Sequence, residues 1–255
     1  MTVKLIALDL DGTLINPGGM ISGQTKAYLY HLADSGRWIA IVTGRPYADV
    51  LALMQQNELP PSIGFPHYLI CEERDIYTLA AGRYESWEPR NSQLLAAEKA
   101  LLPQSRRIAE RLAEEYGLGF YVNNIVYQEK RGFVELVFLN RDEARAGLEK
   151  AAAWAAEAGL TAIRNNRGLA FRHNNVGKLP ALVELVGHLK VRPEEVLVMG
   201  DSHNDLGMLT AGFAAATTAN ADEEIKAAVL EAGGYVSSQR ASDGVAEVLQ
   251  RVFQL

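Results

Sequence analysis

The chain opens on an apolar run, Val3-Lys4-Leu5-Ile6-Ala7-Leu8, that ends in Asp9-Leu10-Asp11-Gly12-Thr13. An apolar strand closing on carboxylates at i and i+2 delivers both to its carboxyl end, where ligands bind in open parallel sheets. Two such anions repel each other, so the pair calls for a cation or a shared proton. One can ionise and attack an electrophile, or ligate a metal, while the other handles protons. Gly12 lets the chain turn away sharply, and Thr13 offers a hydroxyl and a backbone N–H to an anion.

Three further segments carry chemistry. Ile39-Ala40-Ile41-Val42 is a second apolar run, followed by Thr43-Gly44-Arg45-Pro46. A hydroxyl, a flexible glycine and a guanidinium at a strand end suit a phosphoryl group. Val196-Leu197-Val198-Met199 is a third run, followed by Gly200-Asp201-Ser202-His203-Asn204-Asp205. It brings more carboxylates to the same edge, as a hard divalent cation requires. Asn174-Asn175-Val176-Gly177-Lys178 precedes a helix-like stretch and can deliver one ammonium.

In this order the segments resemble the haloacid dehalogenase-like phosphohydrolases, in the Cof-like branch with a large cap between the second and third motifs. Asp9-Leu10-Asp11-Gly12-Thr13 is similar to motif one, Thr43-Gly44-Arg45 to motif two, Lys178 to motif three and Gly200–Asp205 to motif four. Thr218-Ala219-Asn220-Ala221 and Ser242-Asp243-Gly244-Val245-Ala246 resemble two later segments of the branch. One departure stands out. The branch commonly has Asn-Gly after the strand leading into the cap, where this chain has Glu72-Glu73-Arg74-Asp75. We read that segment as a charged hinge.

The resemblance implies a Mg²⁺-dependent phosphatase hydrolysing a small phosphorylated metabolite, a sugar phosphate or a phosphoglycolate-like ester, through an aspartyl phosphate. Asp9 would attack phosphorus. Asp11 would protonate the leaving oxygen and then activate water. Thr43 and the Gly44 N–H would hold phosphoryl oxygens, and Lys178 would neutralise charge. Arg45 and Asn204 would border the substrate. The metal set would be Asp9, the Asp11 backbone carbonyl, Asp201 and Asp205. A phosphomutase or phosphotransferase acting on sugar phosphates uses the same motifs. A non-catalytic ligand sensor on this fold should have lost a nucleophile or a metal carboxylate, and this chain keeps Asp9, Asp11, Lys178, Asp201 and Asp205.

These loops need an α/β scaffold to hold them. Strand and helix patterns alternate from the start to about Cys71, with a helix from about Ser22 to Ser35 and another from Pro46 to about Asn57. A strand-like Ile76–Leu79 follows. Then come a helix near Gln104–Tyr116, strands at Phe120–Val122, Val126–Tyr127 and Phe133–Phe138, an alanine-rich helix near Arg141–Ala158, and strands near Thr161–Ile163 and Leu169–Phe171. Helix–strand alternation resumes after Leu179. The expected fold is a Rossmann-like parallel-sheet core domain, discontinuous over 1–74 and 173–255, with an inserted α+β cap domain over 75–172.

Bulk properties set limits. The 255 residues can bury a substantial core as one domain or two, and 48% hydrophobic with 22% charged content is ordinary for a globular chain. A net charge of −6 argues against nucleic-acid binding. One cysteine excludes an intrachain disulfide and suits a reducing compartment. No stretch reaches about 18 consecutive apolar residues, so no membrane partner is expected. With a core strand at the start and no signal-peptide pattern, the expectation is a cytoplasmic monomer or homodimer.

Overall fold

The computed structural model describes residues 3–116, 120–123 and 132–255. Its strands are β1 (Leu5–Leu8), β2 (Trp38–Val42), β3 (Tyr68–Cys71), β4 (Asp75–Ala80), β5 (Arg83–Ser86), β6 (Phe120–Asn123), β7 (Val134–Phe138), β8 (Leu160–Asn165), β9 (Gly168–His173), β10 (Val196–Met199), β11 (Ala214–Thr217) and β12 (Tyr235–Val236). Its helices are α1 (Gly23–Asp34), α2 (Tyr47–Gln56), α3 (Arg90–Ala100), α4 (Leu102–Tyr116), α5 (Arg141–Glu157), α6 (Lys178–Leu189), α7 (Leu206–Leu209), α8 (Glu223–Glu231) and α9 (Ala241–Phe253). The chain separates into two compact units, Met1–Trp87 with Lys178–Leu255, and Glu88–Gly177.

The first unit is built on an eight-stranded sheet in the order β12-β11-β10-β1-β2-β3-β4-β5. β1 runs parallel to both neighbours, with Leu8 opposite Met199 on one side and Ile41 on the other. Strand order therefore reverses around β1, the kind of switch point at which open α/β sheets bind ligands. β1 has no polar position because both its faces are covered. Ile6 and Leu8 enter one core with Leu29 and Leu32 of α1 and Val245, Val248 and Leu249 of α9. Leu5 and Ala7 enter the other with Leu182 and Leu185 of α6 and Ile225 and Val229 of α8. A period of two, buried on both sides, is why a parallel strand reads as a continuous apolar run. Each fully buried Leu or Ile adds about 1.5–3 kcal/mol. Ser22 caps α1 by accepting from the Thr25 N–H at 3.3 Å, and Pro46 sits at the N-cap of α2.

The unit boundary differs from the sequence expectation. Residues 173–177, expected in the core, lie in the second unit, and residues 75–86 are expected in the inserted part. Instead β4 and β5 extend the large sheet antiparallel, with Leu69 paired to Tyr77 and Tyr77 to Ser86. The reason is a tight turn after β3: Cys71 pairs with Asp75, so residues 72–74 reverse the chain inside the first unit and are not a hinge leaving it.

The second unit has a four-stranded antiparallel sheet, order β6-β7-β9-β8. Val134, Leu136 and Phe138 alternate into a core shared with Ile108 and Leu112 of α4 and Ala144, Ala151 and Ala155 of α5. α3 had no sequence signal strong enough to be expected. It buries Asn91 and Glu98, and Glu98 pairs with Arg172 of β9 at 2.5 and 3.1 Å. The expected strand at Val126–Tyr127 lies outside the described residues.

Candidate active site

Parallel pairing of β10, β1 and β2 puts their following loops along one edge, and the residues singled out in the sequence converge there. Lys178 lies in the first turn of α6, where the helix dipole disfavours a cation. Its Nζ is nevertheless buried between Asp9 Oδ1 at 2.5 Å and Asp205 Oδ1 at 2.6 Å. Asp205 Oδ2 accepts from the backbone N–H groups of Asp201 and Ser202, both at 3.1 Å. Both oxygens of Asp205 are thus engaged, and it fixes the loop as well as the ammonium. Thr13 Oγ1 donates to Asp201 Oδ1 at 3.3 Å.

Two glycines let these loops close on each other. Gly12 holds φ at +81°, and a Cβ there would overlap the Asp201 carboxylate. A Cβ on Gly200 would overlap the Asp205 side chain. Asn220 locks the arrangement: its Nδ2 donates to the Gly12 carbonyl at 2.8 Å, and its Oδ1 accepts from the Ala241 N–H at 2.6 Å. The sequence flagged the segment around Asn220 without a role for it.

Ligand-atom candidates of Asp9, Asp201 and Asp205 lie within 4.8 Å of one another. Their electrostatics are those of an overcharged anion cluster. Burial holds the Asp9 carboxyl well above the usual carboxylate range against the pull of Lys178. Burial, then Asp205, pushes Asp201 up to about 7. Burial alone would lower the Lys178 pKa, but Asp205 and Asp9 outweigh it and keep the ammonium charged. Three carboxylates facing one ammonium leave excess negative charge, with hard oxygen donors and little room. That donor set fits a small divalent cation.

Asp11 points elsewhere. Its carboxylate is not in the cluster. It forms a two-pronged pair with Arg45, Nε to Oδ2 at 2.7 Å and a terminal nitrogen to Oδ1 at 2.6 Å. Arg45, expected to face substrate, is thus spent on the second motif-one aspartate. The Thr43 hydroxyl accepts from the Arg45 N–H at 3.1 Å, which leaves its own proton to donate. Gly44 is exposed on the same loop. Asn204 does not bond Lys178 directly: its Nδ2 donates to Glu73 Oε1 at 2.7 Å, and its Oδ1 accepts from Ser202 Oγ at 2.5 Å. His203 is partly exposed, its Nδ1 3.4 Å from Glu224.

The Glu72–Asp75 turn is buried. Arg74 has no exposure, and it pairs with Glu72 at 2.8 Å and with Asp75 at 2.8 and 2.9 Å. The backbone N–H groups of Glu72 and Glu73 donate to the carbonyls of Arg45 and Thr43, both at 2.9 Å, so the turn braces the motif-two loop.

The chain shares its family and its fold with known proteins. The sequence model of haloacid dehalogenase-like hydrolases matches residues 6–73 and 67–249. A 5-amino-6-(5-phospho-D-ribitylamino)uracil phosphatase of Bacillus subtilis is 24% identical, covering 97% of this chain and 95% of that protein. A phosphoglycolate phosphatase of Picrophilus torridus is 25% identical over 97% of this chain and 91% of its own length. In fold, the chain is similar to a Synechocystis sucrose-phosphatase solved with sucrose and phosphate, with TM-score 0.72, 18% identity and 98% of each chain covered.

Proposed function

Since the chain belongs to the haloacid dehalogenase-like hydrolases, we propose that it is a phosphatase that hydrolyses a small phosphorylated metabolite with Mg²⁺ as cofactor. The observation that carries this reading is one buried ammonium, Lys178, shared by Asp9 and Asp205 with Asp201 beside them. Relatives named as phosphatases along nearly the whole chain support it.

In this reading Asp9 is the nucleophile. One of its oxygens is held by Lys178, which fixes the carboxylate's orientation and leaves the other oxygen for phosphorus. A carboxylate meeting a phosphoryl group at about 4 Å is repelled by about 4 kcal/mol at an effective dielectric of about 20. Lys178 offsets part of that, and its position is set by Asp205. Attack forms the Oδ–P bond of an aspartyl phosphate as the P–O bond to the leaving group breaks. Asp11, once it has taken up a proton from solvent, hands it to the leaving oxygen and later takes one from the water whose attack breaks the Oδ–P bond. For that it must exchange the Arg45 contact for the substrate. The Thr43 hydroxyl and the Gly44 N–H donate to phosphoryl oxygens. Asp9, the Asp11 carbonyl and Asp201 would hold the Mg²⁺, with Asp205 behind them. When bound, the cation supplies charge neutralisation to the phosphoryl oxygens. The unit of residues 88–177 is read as the cap domain of this branch.

The test is phosphate release from a broad panel of phosphorylated metabolites, with and without Mg²⁺, comparing the wild type with Asp9→Asn. Release that depends on both Mg²⁺ and Asp9 is expected. Release by the Asp9→Asn protein at the wild-type rate would remove the nucleophile assignment. Phosphoryl transfer between sugar phosphates without free phosphate would favour a mutase.

A further inference from the structure

Glu73 has no part in the chemistry above, yet it is bracketed by three of the motif loops. Its N–H donates to the Thr43 carbonyl at 2.9 Å. Its Oε1 accepts from Asn204 in the loop of Asp201 and Asp205. Its charge reaches Lys178. The residue is 4% exposed, and its backbone holds φ at +55°, the left-handed region. That conformation suits Asn or Gly and is poor for a glutamate. Among the described residues its Oε2 has no hydrogen-bond partner. A buried carboxylate is an acceptor only. One left with an open oxygen is matched by a donor and penalised by a second anion.

Resting on the phosphatase reading above, we infer that Glu73 is a specificity-determining residue. Its Oε2 accepts a hydrogen bond from a hydroxyl or ammonium group of the ester's leaving group. The site therefore takes polyol or amino-polyol phosphates and turns away esters that carry a carboxylate beside the phosphate. Asn204 holds the carboxylate in place by its other oxygen, and the turn braced on Thr43 sets its height at the sheet edge.

The experiment uses the full-length protein and two esters, ribitol 5-phosphate and 2-phosphoglycolate. Two readouts are taken: kcat/KM by phosphate release, and Kd by calorimetry in the non-turning Asp9→Asn background. Each is measured with Glu73 intact and with Glu73→Gln or Glu73→Asn. Gln keeps an acceptor for Asn204 and removes the charge. Asn is at ease in the left-handed region, so it tests the same point should the Gln protein fold poorly. With Glu73, ribitol 5-phosphate is expected to win by about tenfold or more in both readouts. Either substitution is expected to reduce that ratio at least about tenfold, mainly by a gain on 2-phosphoglycolate. Unchanged ratios in both variants, a wild-type preference for 2-phosphoglycolate, or no binding of either ester would overturn the inference. If neither ester turns over while the Kd ratio shifts as stated, the phosphatase reading fails and the Glu73 assignment stands. Turnover with an unmoved ratio has the opposite meaning.

Discussion

Replacing Lys178 by methionine removes the ammonium that bridges Asp9 and Asp205 at 2.5 and 2.6 Å and keeps roughly the volume. Removing one partner of a buried ion pair costs about 3–5 kcal/mol, because the remaining charge is stranded. Here two carboxylates are stranded, but a cation also leaves a helix N-terminus, which returns roughly 0.5 kcal/mol. The expected net loss is about 3–4 kcal/mol. For a unit of this size, at about 2–4 °C per kcal/mol, the melting midpoint should fall by roughly 6–16 °C near pH 8. The pH dependence distinguishes charge from packing. In the wild type the folded pKa of Lys178 is raised, so its contribution is complete below the ordinary lysine range and does not change between about pH 5 and pH 8. The Asp9 and Asp201 carboxyls are already raised in the wild type, and without the ammonium the variant's stranded carboxylates are raised further, so its folded state takes up more protons than that of the wild type. Its stability should therefore fall as pH rises, and the gap to wild type should widen from about pH 5 to about pH 8. Differential scanning calorimetry at the two pH values reads this directly. A variant melting within about 2 °C of wild type at the higher pH, or a gap that does not depend on pH, would refute the electrostatic account.

Asp9→Asn should cut turnover by about 10³-fold or more, since an amide cannot attack phosphorus. Its amide oxygen still accepts from Lys178, and one anion leaves a crowded cluster, so its melting midpoint should match or exceed wild type. EDTA should remove phosphate release, Mg²⁺ should restore it and Ca²⁺ should not, because the cluster suits a small octahedral ion better than a larger coordination shell; undiminished release in excess chelator would count against the cation. Far from the site, burial would raise the Glu247 pKa, but hydrogen bonds from Tyr235 Oη and from the N–H and Oγ of Ser238 hold it at about 2. Its contribution is present above its unfolded value of 4.5 and is lost as pH falls from there. Glu247→Gln should therefore be less stable than wild type at neutral pH, with the deficit closing below that value in a series of melting scans; a deficit that stays constant with pH would contradict this.

The parts of the site that the sequence disclosed are those where local and global requirements coincide. β1, β2 and β10 are apolar on both faces because both faces are covered. The polar residues just beyond them then stand out by contrast. The turn at Glu72–Arg74 lacks any such contrast. A reversal with φ of +51° and +55° at successive positions ordinarily announces itself with Gly or Asn. Here two glutamates adopt it, supported by the Arg74 pairs to Glu72 and Asp75, which no local propensity encodes. Taken as a hinge, the segment would put β4 and β5 in the second unit, whereas they extend the large sheet. α3 escaped notice because it buries Asn91 and Glu98 in place of an apolar stripe. The pairing of Arg45 with Asp11 was open from sequence, since an arginine beside a phosphoryl site and one beside a carboxylate carry the same signature.

The position of β1 has a consequence for how the protein is made. β1 leaves the ribosome long before one of its two neighbours, β10, which begins at Val196. Until that strand emerges, one edge of β1 has unpaired backbone groups and much of its apolar surface has no cover. Residues Glu88–Gly177, by contrast, form a contiguous unit and need nothing synthesised later. At about 5–20 residues per second, the stretch from Lys178 to Leu255 takes roughly 4–16 s to appear. The nascent chain therefore spends seconds with β1 made and β10 still absent. That interval ties the assembly of the Asp9 site to the synthesis of the later stretch that carries Lys178, Asp201 and Asp205.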